Sequence, residues 1–357
     1  MTITRLDLKN FRLFKNPSFN LKDGINLIYG KNGSGKTSLL EAIIVAHGKK
    51  SFRTPNLINC IKTGESSFKV GVLDEINEGS IKLEAVKSSK KRVVFKKSLL
   101  NKKIGLSEHR LLPQIINDKS FKLVEGEREI RRDFIKYLLF HVKPQFKTTY
   151  NKYDKSMKQR NRALRDNRNK SEIAFWTEAV IEHGVLLGKE QNEVFKEFNE
   201  IAKKRISCAK KEYKLNFLEE IKVDYLWGWK KGKSLKAELK DSLAKDSING
   251  RTSFGPHRAD IIFSQGSSLV INSMSRGQLK LLILLIFLSV QDFLRQKNLM
   301  RSLLMIDDLG SELDFNNLVI SLREILKTNE QALITSTGTD WINHISINDF
   351  NINKISI

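Results

Sequence analysis

The sequence has little cysteine, and this scarcity excludes a disulfide-stapled architecture. Its 357 residues include two cysteines, Cys60 and Cys208, which lie far apart and lack the spacing of metal ligands. We therefore expect no disulfide framework and a reducing compartment. With 40% hydrophobic residues, the composition is that of an ordinary globular protein, and the length suits one large domain or two modest ones.

Long apolar runs are also missing. The most apolar run, residues 281–290, is flanked by Lys280 and by Gln291 and Asp292. Because roughly 20 apolar residues are needed to span a bilayer, we expect this run to form a buried core helix. Residues 1–5 show no apolar core of a signal peptide. The expectation is a soluble, cytoplasmic protein.

Acidic residues are the third shortage. The chain has 40 acidic and 63 basic residues, a net charge of +23, and an isoelectric point near 9.8. An imbalance this large draws polyanions by counterion release. A lysine-heavy composition inherited from a biased genome is the alternative, since Lys and Asn are frequent throughout. The charge therefore supports a nucleic acid partner without proving one.

The apolar pattern predicts two β/α parts separated by a long, charged helical arm. The predicted parts are residues 1–113, 114–250 and 251–357. Strands are expected at 3–11, 25–29, 303–306 and 332–336, with an antiparallel meander within 68–95 and strandlike sequence within 251–272. Helices are expected at 38–47, 279–294 and 317–327, and through most of 114–245.

Residues 30–37, GKNGSGKT, match the phosphate-loop pattern G-x-x-x-x-G-K-[ST] in full. The glycines let backbone N–H groups approach phosphate, Lys36 supplies a charge for the β- and γ-phosphates, and the Thr37 hydroxyl suits Mg²⁺. An apolar strand before the loop and a helix after it argue against a chance match. We expect ATP and Mg²⁺ to bind here. The candidate contacts are Gly30, Lys31, Asn32, Gly33, Ser34, Gly35, Lys36, Thr37 and Ser38.

A second candidate half-site follows the apolar residues 303–306, which run directly into Asp307 and Asp308. A buried strand that ends in two aspartates places two carboxylates at the carboxyl end of that strand. Asp307 would hold Mg²⁺, and Asp308 would position or deprotonate the attacking water. An Asp-rich turn after a strand is the plainer alternative.

Two further segments flank these carboxylates. Residues 311–314, SELD, follow them, and Ser275-Arg-Gly277-Gln278 directly precedes the predicted core helix. Ser275 resembles an N-cap, and a helix N-terminus beside a glycine N–H binds anions. On one chain it has nothing obvious to bind, so a simply capped helix is the alternative.

Together these segments resemble the ABC-type ATPase heads and, more narrowly, the bacterial RecF family, over nearly the whole chain. The resemblance implies an α/β fold, an ABC-type P-loop ATPase head with an inserted helical arm domain. It is carried by NFRLF (10–14), GKNGSGKTSLLEAI (30–43), RRDFIKYLLF (131–140), KQRNRALR (158–165), GPHRAD (255–260), SRGQLKLL (275–282) and IDDLGSELD (306–314). Asp118-Lys119 and Lys136 depart from the family's usual residues and put detail of the arm in doubt.

The resemblance also implies residue roles. Walker A and Walker B would supply the catalytic Lys36 and Asp308, with Thr37 and Asp307 on the metal. The signature of one subunit, within residues 275–278, would cap ATP held by another, and residues 311–314 would form the D-loop. These expected nucleotide contacts are Ser275, Gly277, Gln278, Ser311 and Asp314. Thr335 takes the place of a γ-phosphate sensor, and Gln114 that of a Q-loop glutamine on the metal.

The implied function is a weak, DNA-stimulated ATPase that dimerises on ATP and binds single-stranded, double-stranded and gap-junction DNA. It would act with RecR and RecO, and through them RecA, in recombinational repair, replication restart and the SOS response. A P-loop kinase is an alternative, although it has no use for a signature or a D-loop. A transporter subunit fits less well, because that class lacks the NFR segment. An SMC protein also fits less well, because it needs a long coiled coil for which this chain has no room.

Three basic clusters are candidates for DNA contact, and each is equally well a solvated face. The first comprises Lys152, Lys155, Lys158, Arg160, Arg162, Arg165 and Arg168, of which Lys158, Arg160, Arg162 and Arg165 belong to the recognisable KQRN stretch. The two other clusters are Lys90, Lys91, Arg92, Lys96 and Lys97, and Lys230, Lys231, Lys233 and Lys236 beside Trp227 and Trp229. For GPHRAD, a structural turn and direct nucleotide contact remain open.

Overall fold

The computed structural model describes residues 2–76, 79–99, 111–297, 301–337 and 352–357. The chain divides into two compact units. Unit one comprises Met1–Ser120, Arg276–Gln291 and Met300–Ile357, and unit two comprises Phe121–Ser275 and Asp292–Leu299. The first unit is therefore assembled from three separate stretches of sequence.

The described residues of unit one form two sheets. The antiparallel sheet has the order β2-β1-β4-β5-β6, and the parallel sheet has the order β13-β3-β12-β11-β7. Its strands are β1 (Thr2–Lys9), β2 (Ser18–Asn20), β3 (Ile25–Tyr29), β4 (Ser67–Ile76), β5 (Gly79–Ser88), β6 (Val94–Leu99), β7 (Leu111–Ile116), β11 (Arg301–Ile306), β12 (Ala332–Ser336) and β13 (Asn353–Ser356). Its helices are α1 (Lys36–Ala46), α10 (Phe315–Leu326) and most of α9 (Arg276–Gln296).

Helix α1 is apolar around its whole circumference because it packs against both sheets. Leu39, Leu40 and Ile43 share one core with β1 and β4 on one side and with Ile28 and Leu333 of the parallel sheet on the other. The central parallel strands are buried along most of their length, which explains their unbroken apolar runs. Their carboxyl ends meet at one side of the sheet, here called the carboxyl edge.

Strand β7 corrects the predicted start of the helical arm. Residues 111–116 pair in parallel with β11, whereas the sequence pattern favoured helix from about residue 114. The run LLPQII is too short for its periodicity to separate strand from helix. Pro113 fits because β7 lies at the edge of the sheet, where a missing N–H donor costs little.

Unit two is mainly helical. The long helices α4 and α5 pack against each other, and an antiparallel sheet has the order β10-β9-β8. Its elements are α2 (Lys122–Glu125), α3 (Arg128–Val142), α4 (Phe146–Arg165), α5 (Lys170–Tyr213), β8 (Ile221–Leu226), α6 (Leu235–Asp241), α7 (Leu243–Asn249), β9 (Asp260–Gln265), β10 (Ser268–Leu269) and α8 (Val270–Ser273). Strand β8 interrupts the stretch for which helix was predicted.

Helix α9 is long and apolar enough to cross a membrane by length and composition, with a mean hydropathy of 1.7. However, 83% of its most apolar window is buried inside the protein. The burial is that of a core helix, as the sequence predicted for residues 281–290.

Candidate nucleotide site

The phosphate loop connects β3 to α1, and its sharp path depends on glycine. Gly35 has φ 109°, a conformation that favours glycine, and a Cβ there would lie 2.6 Å from Cζ of Phe14. Phe14 belongs to the NFRLF segment, which therefore packs against the loop. Within the same segment, Arg12 donates to both carboxylate oxygens of Glu41 in α1, at 2.8 and 2.7 Å.

This ion pair fixes α1 relative to the NFRLF segment. Burial raises the pKa of Glu41, but hydrogen bonds from Arg12 and Ser51 outweigh burial and hold the pKa below its usual value. Glu41 is fully buried, so the loss of Arg12 would leave a charge uncompensated in the core beneath the loop.

Lys36 points its ammonium into the phosphate loop. The residue is buried, and Nζ donates to the carbonyl oxygens of Gly30 and Lys31 at 2.7 and 2.9 Å. Ser34 Oγ is buried beside it and has no hydrogen-bond partner among the described residues. A buried cation beside an unsatisfied hydroxyl is a combination that a phosphate group satisfies. The loop residues therefore fit a nucleotide phosphate. Of the other predicted contacts, Lys31, Asn32 and Gly33 are exposed, and Ser38 is buried.

At the carboxyl edge, Asp307 joins two distant segments. Thr37 Oγ1 donates to Oδ1 and Oδ2 of Asp307 at 2.9 and 3.0 Å, across 270 residues of sequence. Hydroxyl and carboxylate oxygens are the hard ligands that Mg²⁺ prefers, with phosphate and water completing its shell. No group of three or more His, Cys, Asp or Glu residues in the described ranges could hold a metal by itself. The pair therefore fits a Mg²⁺ ion that also binds phosphate.

Thr335, near the end of β12, is hydrogen-bonded to the carboxylate of Asp307. Its hydroxyl donates to Asp307 Oδ1 at 2.8 Å and accepts from the backbone N–H of Asp308 at 2.8 Å. The residue is fully buried. This burial contradicts the predicted direct contact with the γ-phosphate, because a side chain with no exposed surface offers none to a ligand. Thr335 positions Asp307 and Asp308 instead.

Asp308 adopts left-handed backbone geometry, with φ 54°. This conformation costs a non-glycine residue of order 1 kcal/mol and is common at functional sites. The backbone N–H of Asp308 donates to Thr335, and its carbonyl oxygen accepts from Lys280 Nζ at 2.7 Å and from Ser311 Oγ at 3.0 Å. Asp308 is thereby turned away from the strand direction that Asp307 continues.

Sequence reasoning gave no role to Lys280, which the structure places against Asp308 and Ser311. It is buried on α9, and its ammonium also donates to the carbonyl oxygen and the hydroxyl of Ser311 at 2.8 and 2.9 Å. Burial lowers the pKa of Lys280, and nearby Asp308 and Glu312 oppose that shift. The available signal was a lysine at the start of an apolar helix, where only a paired charge is tolerated.

The signature segment contacts the D-loop through glycine. A Cβ at Gly277 would lie 2.7 Å from the carbonyl oxygen of Glu312, so a larger side chain would force the two backbones apart. Ser275 is exposed, and Gln278 is half-buried. Asp314 differs from its prediction as a nucleotide contact, because its carboxylate caps α10 by accepting from Asn317 N and Nδ2 at 2.8 Å each.

Gln114 does not fit its predicted role on the metal. In β7 it lies opposite Leu304, three residues before Asp307, while Ile116 lies opposite Ile306. At about 3.3 Å per residue, the Gln114 backbone is about 10 Å short of the carboxyl edge. The prediction is wrong because residues 114–116 continue a strand rather than begin a loop.

The KQRN stretch divides into one buried and three exposed cations. Arg160 is fully buried in unit two, where it pairs with Asp246 at 2.9 Å and donates to Thr177 and Thr252. It is therefore a structural residue, and its predicted DNA contact is wrong. The exposed members are Lys158, paired with Asp154, Arg162, near Asp166, and Arg165.

GPHRAD belongs to the same buried network. Tyr153 donates to Nδ1 of His257 at 2.6 Å, and the opposite ring nitrogen, Nε2, donates to the carbonyl oxygen of Thr252 at 3.1 Å. Asp260 accepts from Arg131 Nε at 2.6 Å and Nη2 at 3.2 Å. Of the two alternatives left open by the sequence, these contacts are those of a structural turn.

Comparison with known proteins matches the family model described as the RecF/RecN/SMC N terminal domain to residues 2–349. The DNA replication and repair protein RecF of Teredinibacter turnerae is 31% identical over 371 residues, covering 98% of this chain and 94% of that protein. RecF of Pseudoalteromonas translucida is 32% identical over 316 residues, covering 88% and 85%.

Two solved structures share the fold. The recombination mediator protein RecF with ATP, from the RecFOR pathway, has a TM-score of 0.73 at 24% identity and covers 95% of this chain and 92% of that one. An SMC head bound to the C-winged helix domain of ScpA has a TM-score of 0.54 at 14% identity, covering 95% and 90%. The α/β architecture of an ABC-type ATPase head is thereby confirmed.

Proposed function

The chain belongs to the RecF/RecN/SMC N-terminal domain family, and from this membership we propose that it is an ATP-dependent DNA-binding switch of DNA repair and replication. Nucleotide binding holds two copies of the chain together, and slow hydrolysis releases them. Curated relatives carry the name DNA replication and repair protein, and a solved relative was determined with ATP. Those names support the process, while the chain's own residues support the mechanism.

In the proposed mechanism, Lys36 and the loop N–H groups bind the phosphates of ATP, while Thr37 and Asp307 hold Mg²⁺. When bound there, Mg²⁺ would supply Lewis-acid polarisation of the γ-phosphate. The observation that carries this proposal is the contact of Thr37 Oγ1 with both carboxylate oxygens of Asp307 at 2.9 and 3.0 Å. Asp308 positions or deprotonates the attacking water.

The proposed site is completed by a second copy. Residues 307–312 make three contacts in succession. Asp307 accepts from Thr37, Ser311 accepts from Lys280, and Glu312 lies against Gly277. The D-loop therefore lies between the chain's own phosphate loop and its signature glycine. We assign Ser275, Gly277 and Gln278 to the phosphate loop of the partner copy, where a helix N-terminus favours an anion.

DNA is the proposed polyanionic partner. The net charge of +23 favours non-specific phosphate contacts, and exposed lysines and arginines supply them without base preference. The closed dimer would grip gapped or junction DNA, which would stimulate its weak ATPase activity. Because the solved relative is assigned to the RecFOR pathway, we also propose RecR and RecO as partners, and RecA as the protein they load.

The test uses Asp308→Asn, which slows hydrolysis and should trap the dimer. Sedimentation with ATP is expected to give a dimer that retains gapped DNA, with affinity falling as salt rises. Lys36→Ala should lose nucleotide binding, dimerisation and DNA retention together. A monomer that binds no DNA in the presence of ATP would overturn the proposal.

Ser275→Arg separates the partner contact from nucleotide binding. It should block dimerisation while leaving the affinity of the monomer for ATP unchanged, because Ser275 serves the other copy's site. Ser171→Arg adds the same side chain at another exposed serine, at the start of α5, and should leave both properties intact. Equal loss of ATP binding in Lys36→Ala and Ser275→Arg would contradict the assignment.

A further inference from the structure

A cleft of about 1370 Å³ lies in unit two, and none of the residues assigned above to nucleotide chemistry lines it. It is lined by the end of β8 and the following residues 227–233, and by side chains from α7 and from residues 251–262. All of these belong to one unit, so the cleft is complete within a single copy of the chain. Most of the third basic cluster named from the sequence, with Trp227 and Trp229, lines it.

The walls of the cleft are strongly basic. Seven lysines and arginines line it, against the two carboxylates of Asp224 and Asp260. Asp260 is already engaged by Arg131 and Arg128, and Lys233 is paired with Asp241. Within the described ranges, five lining cations form no ion pair. They are Lys230, Lys231, Lys245, Arg251 and Arg258.

Aromatic rings share the cleft with these cations. Trp227 and Trp229 have ring centroids 5.2 Å apart at an interplanar angle of 63°, and Tyr225 lies 6.2 Å from Trp227. Both indoles are half-buried and line the cleft. On one side, Trp229 packs over Gly188 of α5, where a Cβ would lie 2.7 Å from its Cη2.

The loop that presents the two indoles is held rigidly. Gly228, between them, has φ 87°, and a Cβ there would lie 2.2 Å from the carbonyl oxygen of Gly255. Gly255 N donates to the Gly228 carbonyl oxygen at 3.2 Å. The GPHRAD turn thus locks the tryptophan loop, and His257 anchors that turn to the buried network of Tyr153 and Thr252. A preorganised site loses little conformational entropy when it binds a ligand.

Cations that track a backbone, combined with aromatic faces, are the means by which proteins bind single-stranded nucleic acid. A duplex keeps its bases stacked and presents no base face to an indole. An acidic peptide would use the charges but would leave the paired indoles unexplained. The combination therefore favours an unpaired nucleic acid strand.

We propose that this cleft binds single-stranded DNA, with Lys230, Lys231 and Arg258 on phosphates and an indole of Trp227 or Trp229 against a base. The proposal rests on the proposed function in that DNA is the ligand. It deepens that function by giving the unpaired strand of a gap its own site in each copy. Binding here needs neither ATP nor a second copy.

The test measures binding of a fluorescein-labelled oligothymidylate of about 12 nucleotides, a length within usual site sizes, to the full chain without nucleotide. At least one of the variants Trp227→Leu and Trp229→Leu, the one that removes the ring against the base, should weaken binding by about 5- to 100-fold. Lys230→Ala/Lys231→Ala should weaken binding and reduce the salt slope by about 1.4, at about 0.7 per phosphate contact. These lysines are exposed, so the fold should survive.

Lys204→Ala/Lys211→Ala is the matched control, because it removes two exposed lysines from α5 in the same unit. It should leave affinity within about twofold, since neither lysine lines the cleft. Unchanged affinity in both tryptophan variants and the Lys230/Lys231 variant would overturn the proposal. So would an equal loss of blunt duplex binding, or an acidic peptide that displaces the oligonucleotide.

This outcome is separable from the proposed clamp. If cleft variants lose the single strand but still dimerise with ATP, the cleft is supported independently of the ATP site. If the wild-type chain binds the oligonucleotide but never dimerises with ATP, the clamp fails and the cleft stands. Thermal melting of each variant checks that the fold is retained.

Discussion

At the scale of single residues, Asp307 is where the nucleotide site is assembled. Its carboxylate accepts from Thr37 of the phosphate loop and from Thr335 of β12. Its neighbour Asp308 leaves the strand in a left-handed turn. The two adjacent carboxylates therefore occupy different environments, which suits one for holding Mg²⁺ and the other for acting on water.

Arg160 shows how burial decides between structural and binding roles. Arg160→Met should destabilise the chain by about 3–5 kcal/mol, because it leaves Asp246 charged and uncompensated in the core. Arg162→Ala, two residues away and exposed, should cost less than about 0.5 kcal/mol. Urea unfolding of both variants measures the difference. A loss of DNA affinity by Arg160→Met without a loss of stability would restore its predicted role in DNA binding.

The candidate site was predictable to the extent that its residues are adjacent in sequence. The phosphate loop and the Asp307–Asp308 pair were found because each is a local pattern beside an apolar strand. Thr335 and Arg160 were misassigned because their roles depend on burial and on partners far along the chain. Local sequence patterns do not give burial for an isolated polar residue.

At the scale of secondary-structure elements, α9 connects the signature to the catalytic edge. Gly277 backs the D-loop at Glu312, and Lys280 bonds to Asp308 and Ser311 one turn later. A helix turn is rigid compared with a loop, so the ammonium of Lys280 fixes the D-loop relative to the signature. The element as a whole thus couples the two parts of the proposed composite site.

Lys280→Met should uncouple these parts. The substitution removes three hydrogen bonds that a charged donor makes to the Asp308 carbonyl oxygen and to the carbonyl oxygen and hydroxyl of Ser311, and so frees the D-loop. We expect ATP-dependent dimerisation to weaken at least about tenfold, with ATP affinity of the monomer changed less than about threefold. Sedimentation and nucleotide fluorescence measure the two. Lys211→Met, on an exposed face of α5, should change neither, and equal losses in both assays for Lys280→Met would contradict the coupling.

The turn at His257 makes unit two sensitive to acid. Burial lowers the pKa of His257 from its usual value of 6.5 to about 4, although the hydrogen bond to Thr252 opposes the shift. Between these values the unfolded chain binds a proton that the folded chain does not, so stability falls as pH falls from about 6.5 to 4. The total loss is on the order of 3 kcal/mol.

His257→Gln, which does not titrate, isolates this contribution. Its unfolding free energy should depend less on pH than that of the wild type between about pH 6.5 and 4, and equally above that range. Urea unfolding at several pH values provides the comparison. Parallel pH profiles for the two proteins would show that His257 is not the group responsible.

The fold was largely predictable at this scale wherever apolar runs were long. Strand β3 and strand β12 match their predicted bounds, and α9 extends its predicted range by three residues at the start and two at the end. Strands β7 and β8 were missed because each has six residues within a charged helical context. A short strand is decided by its pairing partner, and β11, the partner of β7, lies almost 200 residues further along the chain.

At the scale of the whole molecule, the chain combines an ATPase head with a basic arm. The net charge of +23 belongs to the chain as a whole, so charge alone assigns no single DNA surface. In the proposed division, ATP binding controls dimerisation, and the cleft in the arm binds the unpaired strand. Each task then has its own residues and its own assay.

The central claim is that each nucleotide site takes its phosphate loop from one copy and its signature from another. Mixing Lys36→Ala with Ser275→Arg tests it most directly, with ATPase activity as the measurement. In a mixed dimer one site holds both substitutions, and the other pairs an intact loop with an intact signature. Neither variant dimerises alone, so an equal mixture forms only mixed dimers, each with one intact site of two, and should recover up to about one half of wild-type activity. Activity no greater than the sum of the separate variants would contradict the claim.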